Sequence, residues 1–291
     1  MIQCFAKQEY ASSFQAGTMP RLLSASNVHM EYGHRTRALH RHNDCCEILF
    51  VYDGASRYVV GDHVFPVRKG DLIVTNCDML HEDILDENDT VSYYAISMDD
   101  LLLENLPKNH LIANDVCPVF PALSAEPLFD QLFQSIFEHL SENRPESQEV
   151  CHYLMMSVIT QVLHMVRSSK VPRMEAGDIS TLIREVKHYL DDNYMQNLSL
   201  QSISANFFIS PYHLSHYFKE KTGNSPMNYV NRRRIGEAQT LLIRTKDSIT
   251  DIAGHVGFSN LNNFNIQFQK QVGMSPRQYR KVYLSHPEDP D

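Results

Sequence analysis

ITDIAGHVGFSNLNNFNIQFQKQVGMSPRQYRK, residues 249–281, is the stretch whose reading decides the fold. Ile249, Ile252, Ala253 and Val256 recur at helical spacing and predict a short helix from Ile249 to about His255, with Ser248 as its N-cap. Gly257 stands where a helix-ending left-handed residue is expected, and Phe258 packs the turn. Ser259 or Asn260 then caps a second helix with Leu261, Phe264 and Phe268 on its apolar face. The other face carries Asn262, Asn263, Asn265, Gln267, Gln269 and Lys270. A short helix, a glycine turn and a second amphipathic helix make a helix-turn-helix pattern. The bland alternative for the amide-rich face is solvation. Asn is a mediocre helix former, however, so four of them within residues 260–265 argue for a use beyond helix stability. Asn and Gln can bond adenine N6 and N7 in a major groove, and apolar groups can meet the thymine methyl.

Working backwards, the pattern repeats. Leu214, Phe218, Gly223, Ser225, Pro226 and Tyr229 recur as Phe264, Phe268, Gly273, Ser275, Pro276 and Tyr279, fifty positions on. Leu200 and Ile203 match Ile249 and Ile252 at an offset of 49, which places a one-residue slip in the turn of each unit. In the first unit residues 201–206 form the supporting helix, and Ser210-Pro211 opens the next as N-cap and N1. Leu214, Tyr217 and Phe218 are expected inside, with Tyr212, His213, Ser215, His216 and Lys219 outside. Residues 226–242 predict one longer connecting helix with Val230, Ile235, Ala238 and Leu242 buried. Arg232, Arg233 and Arg234 on it are candidates for phosphate contact, the alternative being that one of them fixes the packing between units. Two units on one rigid helix can reach successive major grooves, about 34 Å apart.

This segment, about residues 183–282, resembles the AraC/XylS family of transcriptional regulators. The resemblance rests on Ile252-Ala253, Val256-Gly257-Phe258, Phe264, Phe268, Lys270, Gly273, Ser275-Pro276 and Tyr279-Arg280, and on Arg234-Ile235, Ala238 and Leu241-Leu242 upstream. It implies a seven-helix domain with two DNA-reading helices, binding to direct or asymmetric promoter sites, and usually activation of transcription. It also implies base-facing positions at Tyr212 and His216 in the first reading helix, and at Leu261, Asn262, Asn265 and Ile266 in the second. Ile266 departs from the polar or basic residue often found there, and it could contact a thymine methyl. Ser210, His213, Asn260 and Arg232 complete the expected DNA-binding set.

The N-terminal part has a different period. Residues 45–52, 56–60, 63–67, 72–75 and 91–98 are short β-rich runs, separated by turn signals at Asp53-Gly54, Gly61-Asp62 and Lys69-Gly70-Asp71. That spacing suggests a sandwich or small barrel. The order His40-x-His42-x4-Glu47-x6-Gly54, with a partial second motif over residues 70–81, resembles the cupin fold. Asn76-Cys77-Asp78 stands where cupins usually have Pro-x-Gly. His40, His42, Glu47 and His81 are therefore the candidate effector-binding residues. Three readings stay open for them: a small-molecule pocket without metal, histidines hydrogen-bonded at a barrel mouth, and a three-nitrogen, one-oxygen metal site.

Between these parts, Leu128, Leu132, Phe133, Ile136, Phe137 and Leu140 form one helical stripe. Pro145 restarts the chain, and Val150, Leu154, Val158, Val162 and Met165 form another. They read equally as core or as a dimer face. Residues 168–177 are polar, with Pro and Gly, and read as a linker. The expected fold class is thus α+β in two domains, a cupin-like β-barrel or jelly roll followed by helices, then an all-α domain with two helix-turn-helix units. The expected division is 1–120 for ligand sensing, 121–170 for dimerisation or coupling, 171–180 as linker and 181–284 for DNA binding.

Charge agrees with this division. Residues 1–170 carry 12 Lys/Arg against 23 Asp/Glu, while residues 219–281 carry 11 basic and four acidic side chains. A local basic field within an acidic chain can still meet a polyanion, because fields are screened over about 8–10 Å. The six cysteines all precede Lys170 without a CxxC pair, which suits a reducing cytoplasm. No signal peptide or membrane-spanning run is seen. The expected function is a cytoplasmic, non-enzymatic regulator, an activator by family habit, with no cofactor. Its expected partners are double-stranded promoter DNA, RNA polymerase, a small-molecule effector such as a carbohydrate, and a second copy in a homodimer. The competing readings are a cupin metalloenzyme with an accessory DNA-binding module and a constitutive DNA-binding protein with a vestigial barrel.

Overall fold

The computed structural model describes residues 2–5, 11–15, 17–31, 37–142, 144–168, 171–174 and 181–284. Its strands are β1 (Arg21–Glu31), β2 (Cys46–Val60), β3 (His63–Arg68), β4 (Asp71–Thr75), β5 (His81–Ile84), β6 (Thr90–Asp99) and β7 (Val119–Pro121). All pairings among them are antiparallel. One sheet runs β1-β6-β2-β4-β7, while β3 and β5 flank the far half of β2. The run expected as two strands with a turn at Asp53-Gly54 is a single strand, β2, because its register against β6 slips between Val51 and Asp53. An extra residue there bends the strand out of one sheet and into the other without ending it.

Alternation along β2 separates two cores. Ile48 and Phe50 face outward with Leu72, Val74, Ile96 and Met98, and are covered by α1 (Glu126–Ser141) and α2 (Pro145–Arg167). Phe50 stacks on Phe129 and Phe133 of α1. Leu49 and Val51 face the barrel interior with Met30, Tyr58, Ile73 and Tyr93. Glu47 lies on that interior face too, which sets up the site below. The helical stripes are therefore mostly core: Leu132, Phe133, Ile136, Val158, Val162 and Met165 are buried against the sheet.

The C-terminal part comprises α3 (Thr181–Asn193), α4 (Leu200–Asn206), α5 (Pro211–Thr222), α6 (Pro226–Arg244), α7 (Ile249–His255), α8 (Leu261–Val272) and α9 (Pro276–Leu284). The caps read from the sequence, Ser210, Ser248 and Asn260, each accept a first-turn backbone N–H, and Ser199 and Ser225 do the same for α4 and α6. Helices α5 and α8 end alike, on Gly223 and Gly273 with positive φ. Two clusters result, one per unit, centred on Leu214, Phe218 and Tyr229 and on Phe264, Phe268 and Tyr279. Of the expected linker 171–180, residues 175–180 lie outside the described residues. The part before them is tied back to the barrel, where Cys117 N–H donates to Pro172 and Met174 N–H to Asp115. No helix among the described residues is long and apolar enough to cross a membrane.

Candidate DNA-reading face and interdomain cavity

Helices α5 and α8 bury the same registers, Leu214 and Phe218 in one, Phe264 and Phe268 in the other. Period 3.6 then turns the remaining positions outward. Tyr212, His213, His216, Leu261, Asn262 and Ile266 are exposed, and Asn265 is half-buried. Tyr212 and Ile266 are 75% and 63% exposed, high for such side chains, and the Tyr212 ring stacks on His216 of the same face. Ser210 and Asn260 are committed to their helices: Ser210 Oγ accepts His213 N–H at 3.2 Å, and Asn260 Oδ1 accepts Asn262 N–H at 2.8 Å. The Ser210 hydroxyl proton and the Asn260 amide NH2 remain for another partner.

Arg232 does not join this face. It is 8% exposed and its guanidinium is paired with Glu82 of β5, across the domain boundary. Its neighbours are equally engaged. Arg233 donates to Leu39 O at 3.1 Å and lies 3.4 Å from Asp191. Arg234 donates to Tyr194 O and Gln196 O at 2.6 and 2.7 Å. The expected phosphate contact by Arg232 is therefore corrected: in this arrangement the side chain joins the two halves of the molecule. The alternative of packing between units holds for Arg234, whose guanidinium also lies over the Phe258 ring.

The four residues singled out in the barrel do converge. His40, His42, Glu47 and His81 present one ligand atom each, all within 4.8 Å of one another. They come from three places: the segment before β2, β2 itself and the start of β5. His40 and His42 lie outside the regular strands, though His40 makes a single antiparallel bridge to His81. His40 Nδ1 lies 2.8 Å from Ala38 O, and His81 Nδ1 lies 2.8 Å from Met79 O. A carbonyl only accepts, so each Nδ1 carries the proton and each Nε2 offers its lone pair. Those Nε2 atoms, and both ring nitrogens of His42, are buried without a hydrogen-bond partner. Burial pushes the His40 ring well below its usual pKa and His81 below it as well, so both are held neutral. Burial pushes the Glu47 carboxyl up, but His42 and His81 outweigh it and hold the group well below the carboxylate range. Glu47 lies 3.2 Å from His42 Nε2 and 3.4 Å from His81 Nε2. The Nε2 lone pairs of His40 and His81 thus lie beside a carboxylate, an arrangement that a cation between them would satisfy. Three imidazoles and one carboxylate, two of the rings oriented by backbone carbonyls, fit a divalent transition metal.

This cluster lines a cavity of about 430 Å³. The barrel contributes Ser24, Ser26, Leu49, Tyr58, Asp83, Tyr93 and Ser97, together with Arg37. Burial pushes the Asp83 carboxyl up to about 7, against a hydrogen bond from Tyr93. The remaining wall comes from the C-terminal helical half: Thr240, Ile243 and Arg244 of α6, and Tyr279 and Tyr283 of α9. Sequence reasoning missed this half of the site, because nothing in a helix's own pattern names a partner two hundred residues away.

The two halves meet along residues 37–39 and α6. Ala38 belongs to the core of the second unit and Leu39 to that of the first. Ala38 N–H donates to Gln239 Oε1 at 2.8 Å, and Arg37 donates to Thr240 Oγ1 at 2.9 Å. Arg244 pairs with Asp44 at 2.9 Å, and Lys187 pairs with Asp62. Gly236 makes the approach possible, since a Cβ there would stand 2.2 Å from Leu39 O. That glycine was the available signal: mid-helix Gly costs about 1 kcal/mol against Ala, so its presence in α6 asks for a close neighbour.

Comparison with known proteins agrees with both halves. Residues 29–159 match the family described as AraC-like ligand binding domain, and residues 203–282 match a helix-turn-helix domain family. The chain is 27% identical over 275 residues to the HTH-type transcriptional regulator YdiP of Escherichia coli, covering 93% of this chain and 89% of that one. It is 24% identical to the HTH-type transcriptional activator RhaS of Pectobacterium carotovorum, covering 85% and 89%. A solved structure of unsaturated fatty acid bound ToxT from Vibrio cholerae covers 92% of this chain and 98% of its own at a TM-score of 0.47 and 12% identity. With an AraC-like ligand-binding domain joined to a double helix-turn-helix domain, the chain belongs to the AraC family of DNA-binding transcriptional regulators.

Proposed function

We propose that this regulator reads promoter DNA with α5 and α8 and is controlled by a small polar metabolite, such as a sugar, held in the cavity between its halves. The carrying observation is that α6 and α9 of the DNA-binding half supply part of the cavity wall. A molecule that fills the space touches both halves, so its affinity depends on how they dock. By linkage, its binding biases that docking. The volume suits a small metabolite. The tyrosine rings and the hydroxyls of Ser24, Ser26, Ser97 and Thr240 suit stacking and hydrogen bonding to a hydroxylated ring.

On the DNA side, Asn262 and Asn265 take adenine edges, Leu261 and Ile266 take thymine methyls, and Tyr212, His213 and His216 read the neighbouring groove. The caps Ser210 and Asn260 sit where phosphates approach a helix N-terminus. Activation, with contact to RNA polymerase, is supported by the likeness to RhaS, itself a transcriptional activator. A homodimer is supported by Leu128, Val150 and Tyr153, which leave exposed apolar surface on α1 and α2.

The test is a thermal-shift screen of the full chain against metabolites, followed by footprinting with and without each hit. The expected result is a ligand that stabilises the chain by about 2.7 kcal/mol at a hundredfold excess over its Kd and changes operator affinity. Operator affinity indifferent to every bound ligand would overturn effector control. Metabolite turnover by the metal-loaded protein would favour the metalloenzyme reading, to which the three-histidine, one-glutamate set lends its only support.

A further inference from the structure

We propose that a divalent transition-metal ion, held by His40, His42, Glu47 and His81, pins residues 37–42 to the barrel and so sets how the DNA-binding half docks. The donors and their unsatisfied nitrogens are described above. What gives the ion a second role is where these ligands sit in the chain. His40 follows directly on Ala38 and Leu39, the two residues inserted into the cores of the two helix-turn-helix units. His40 and His81 also exchange backbone hydrogen bonds, N–H to O at 3.1 and 2.9 Å. On β5, His81 turns toward the donor set and the next residue, Glu82, toward Arg232 of α6. Successive residues of a strand point to opposite faces, so fixing His81 fixes Glu82. The ion would therefore clamp the roots of two separate docking contacts, the 37–39 strap and the Glu82–Arg232 pair.

Without the ion, the Nε2 lone pairs of His40 and His81 and the Glu47 carboxylate share one buried space. Buried acceptors left unmatched are costly, and rotation of the His40 ring relieves them. That rotation drags the strap, which has no slack: the space over Gly236 is already filled by Leu39 O. The inference deepens the reading of this cavity as the regulated site, and its test uses no organic effector, so either can fail alone.

Full-length protein is stripped with a chelator and titrated with Co²⁺ and Zn²⁺. Calorimetry and the cobalt absorption spectrum report binding, and small-angle scattering reports docking. One equivalent per chain is expected, with a smaller radius of gyration for loaded than for stripped protein. His42→Ala and the isosteric Glu47→Gln are each expected to weaken metal binding by at least about 100-fold, the upper end of what losing an outer-shell partner costs. Glu47→Gln serves if His42→Ala does not fold. Gly236→Ala should still take up one equivalent yet keep the larger radius when loaded. Less than one equivalent, full affinity after ligand loss, or one radius with and without metal each overturns the proposal. A protein that binds no metal but still couples an organic ligand to operator affinity would leave the regulator reading standing.

Discussion

Arg232 and Asn262 show how differently two polar side chains on one domain behave once their surroundings are known. Arg232→Ala strands Glu82 as an unpaired buried carboxylate, and breaking such a pair by removing one partner costs about 3–5 kcal/mol. We expect the loss in chemical denaturation, with the salt dependence of DNA binding unchanged, because no phosphate contact is lost. A flatter salt slope in Arg232→Ala would return the residue to the DNA face. Asn262 is exposed on α8, and its side chain is free of the capping bond that its backbone N–H makes to Asn260. Asn262→Ala should leave stability near wild type and cost about 1–3 kcal/mol of discrimination between operator and random DNA, measured by competition binding. The outward position of Asn262 was legible because it follows from a period of 3.6 about Phe264 and Phe268. Arg232 was not, because its partner lies 150 residues away and a charge in a sequence carries no address.

The two helix-turn-helix elements repeat closely, and the exception is instructive. Gly257 has φ +92, in the conformation that ends α7, and a Cβ there would stand 2.6 Å from Met195 O. At the matching place after α4 the chain has Phe208, with φ +54 and 96% exposure. A left-handed conformation costs a side-chain-bearing residue about 1–2 kcal/mol, and Phe208 recovers nothing by burial. Phe208→Gly should therefore stabilise the first unit by about 0.5–1 kcal/mol, after the added entropy of the unfolded chain is counted. Gly257→Ala should destabilise the second unit by more than that, since strain and a backbone clash add. Thermal melts of both variants decide the matter, and a destabilised Phe208→Gly would mean that the ring packs on something. The helical elements were legible nearly to the residue because capping serines, Pro at N1 and terminal Gly are local chemistry. The strands were less so. The turn expected at Asp53-Gly54 is paired strand next to a bulge at Tyr52, and turn residues serve both purposes until the partner strand is known. Strand β1 was missed for the same reason: it is mostly exposed and carries no clean alternation.

At the scale of the whole molecule the question is how a sensing barrel speaks to a DNA reader. The wall that Arg244, Tyr279 and Tyr283 lend to the cavity makes a long relay unnecessary, since an effector there meets both halves directly. That directness has a measurable consequence under the proposed function. If effector changes operator affinity by some factor, operator must change effector affinity by the same factor. Tyr283→Ala removes a ring from the roof while leaving α5, α8 and the barrel side of the cavity in place. The variant should bind operator with wild-type affinity when no effector is present. Its effector affinity should fall, and the two coupling factors should shrink together toward one. Calorimetry of the effector with and without operator DNA, set beside operator titrations with and without effector, measures all four affinities. Coupling that survives intact in Tyr283→Ala would mean that the message leaves the barrel elsewhere. The Arg244–Asp44 pair alone would not carry it, because a half-exposed ion pair contributes at most about 1 kcal/mol. The route left would be the buried seats of Ala38 and Leu39 beside Gly236, where a small movement of the strap displaces both helix-turn-helix cores at once.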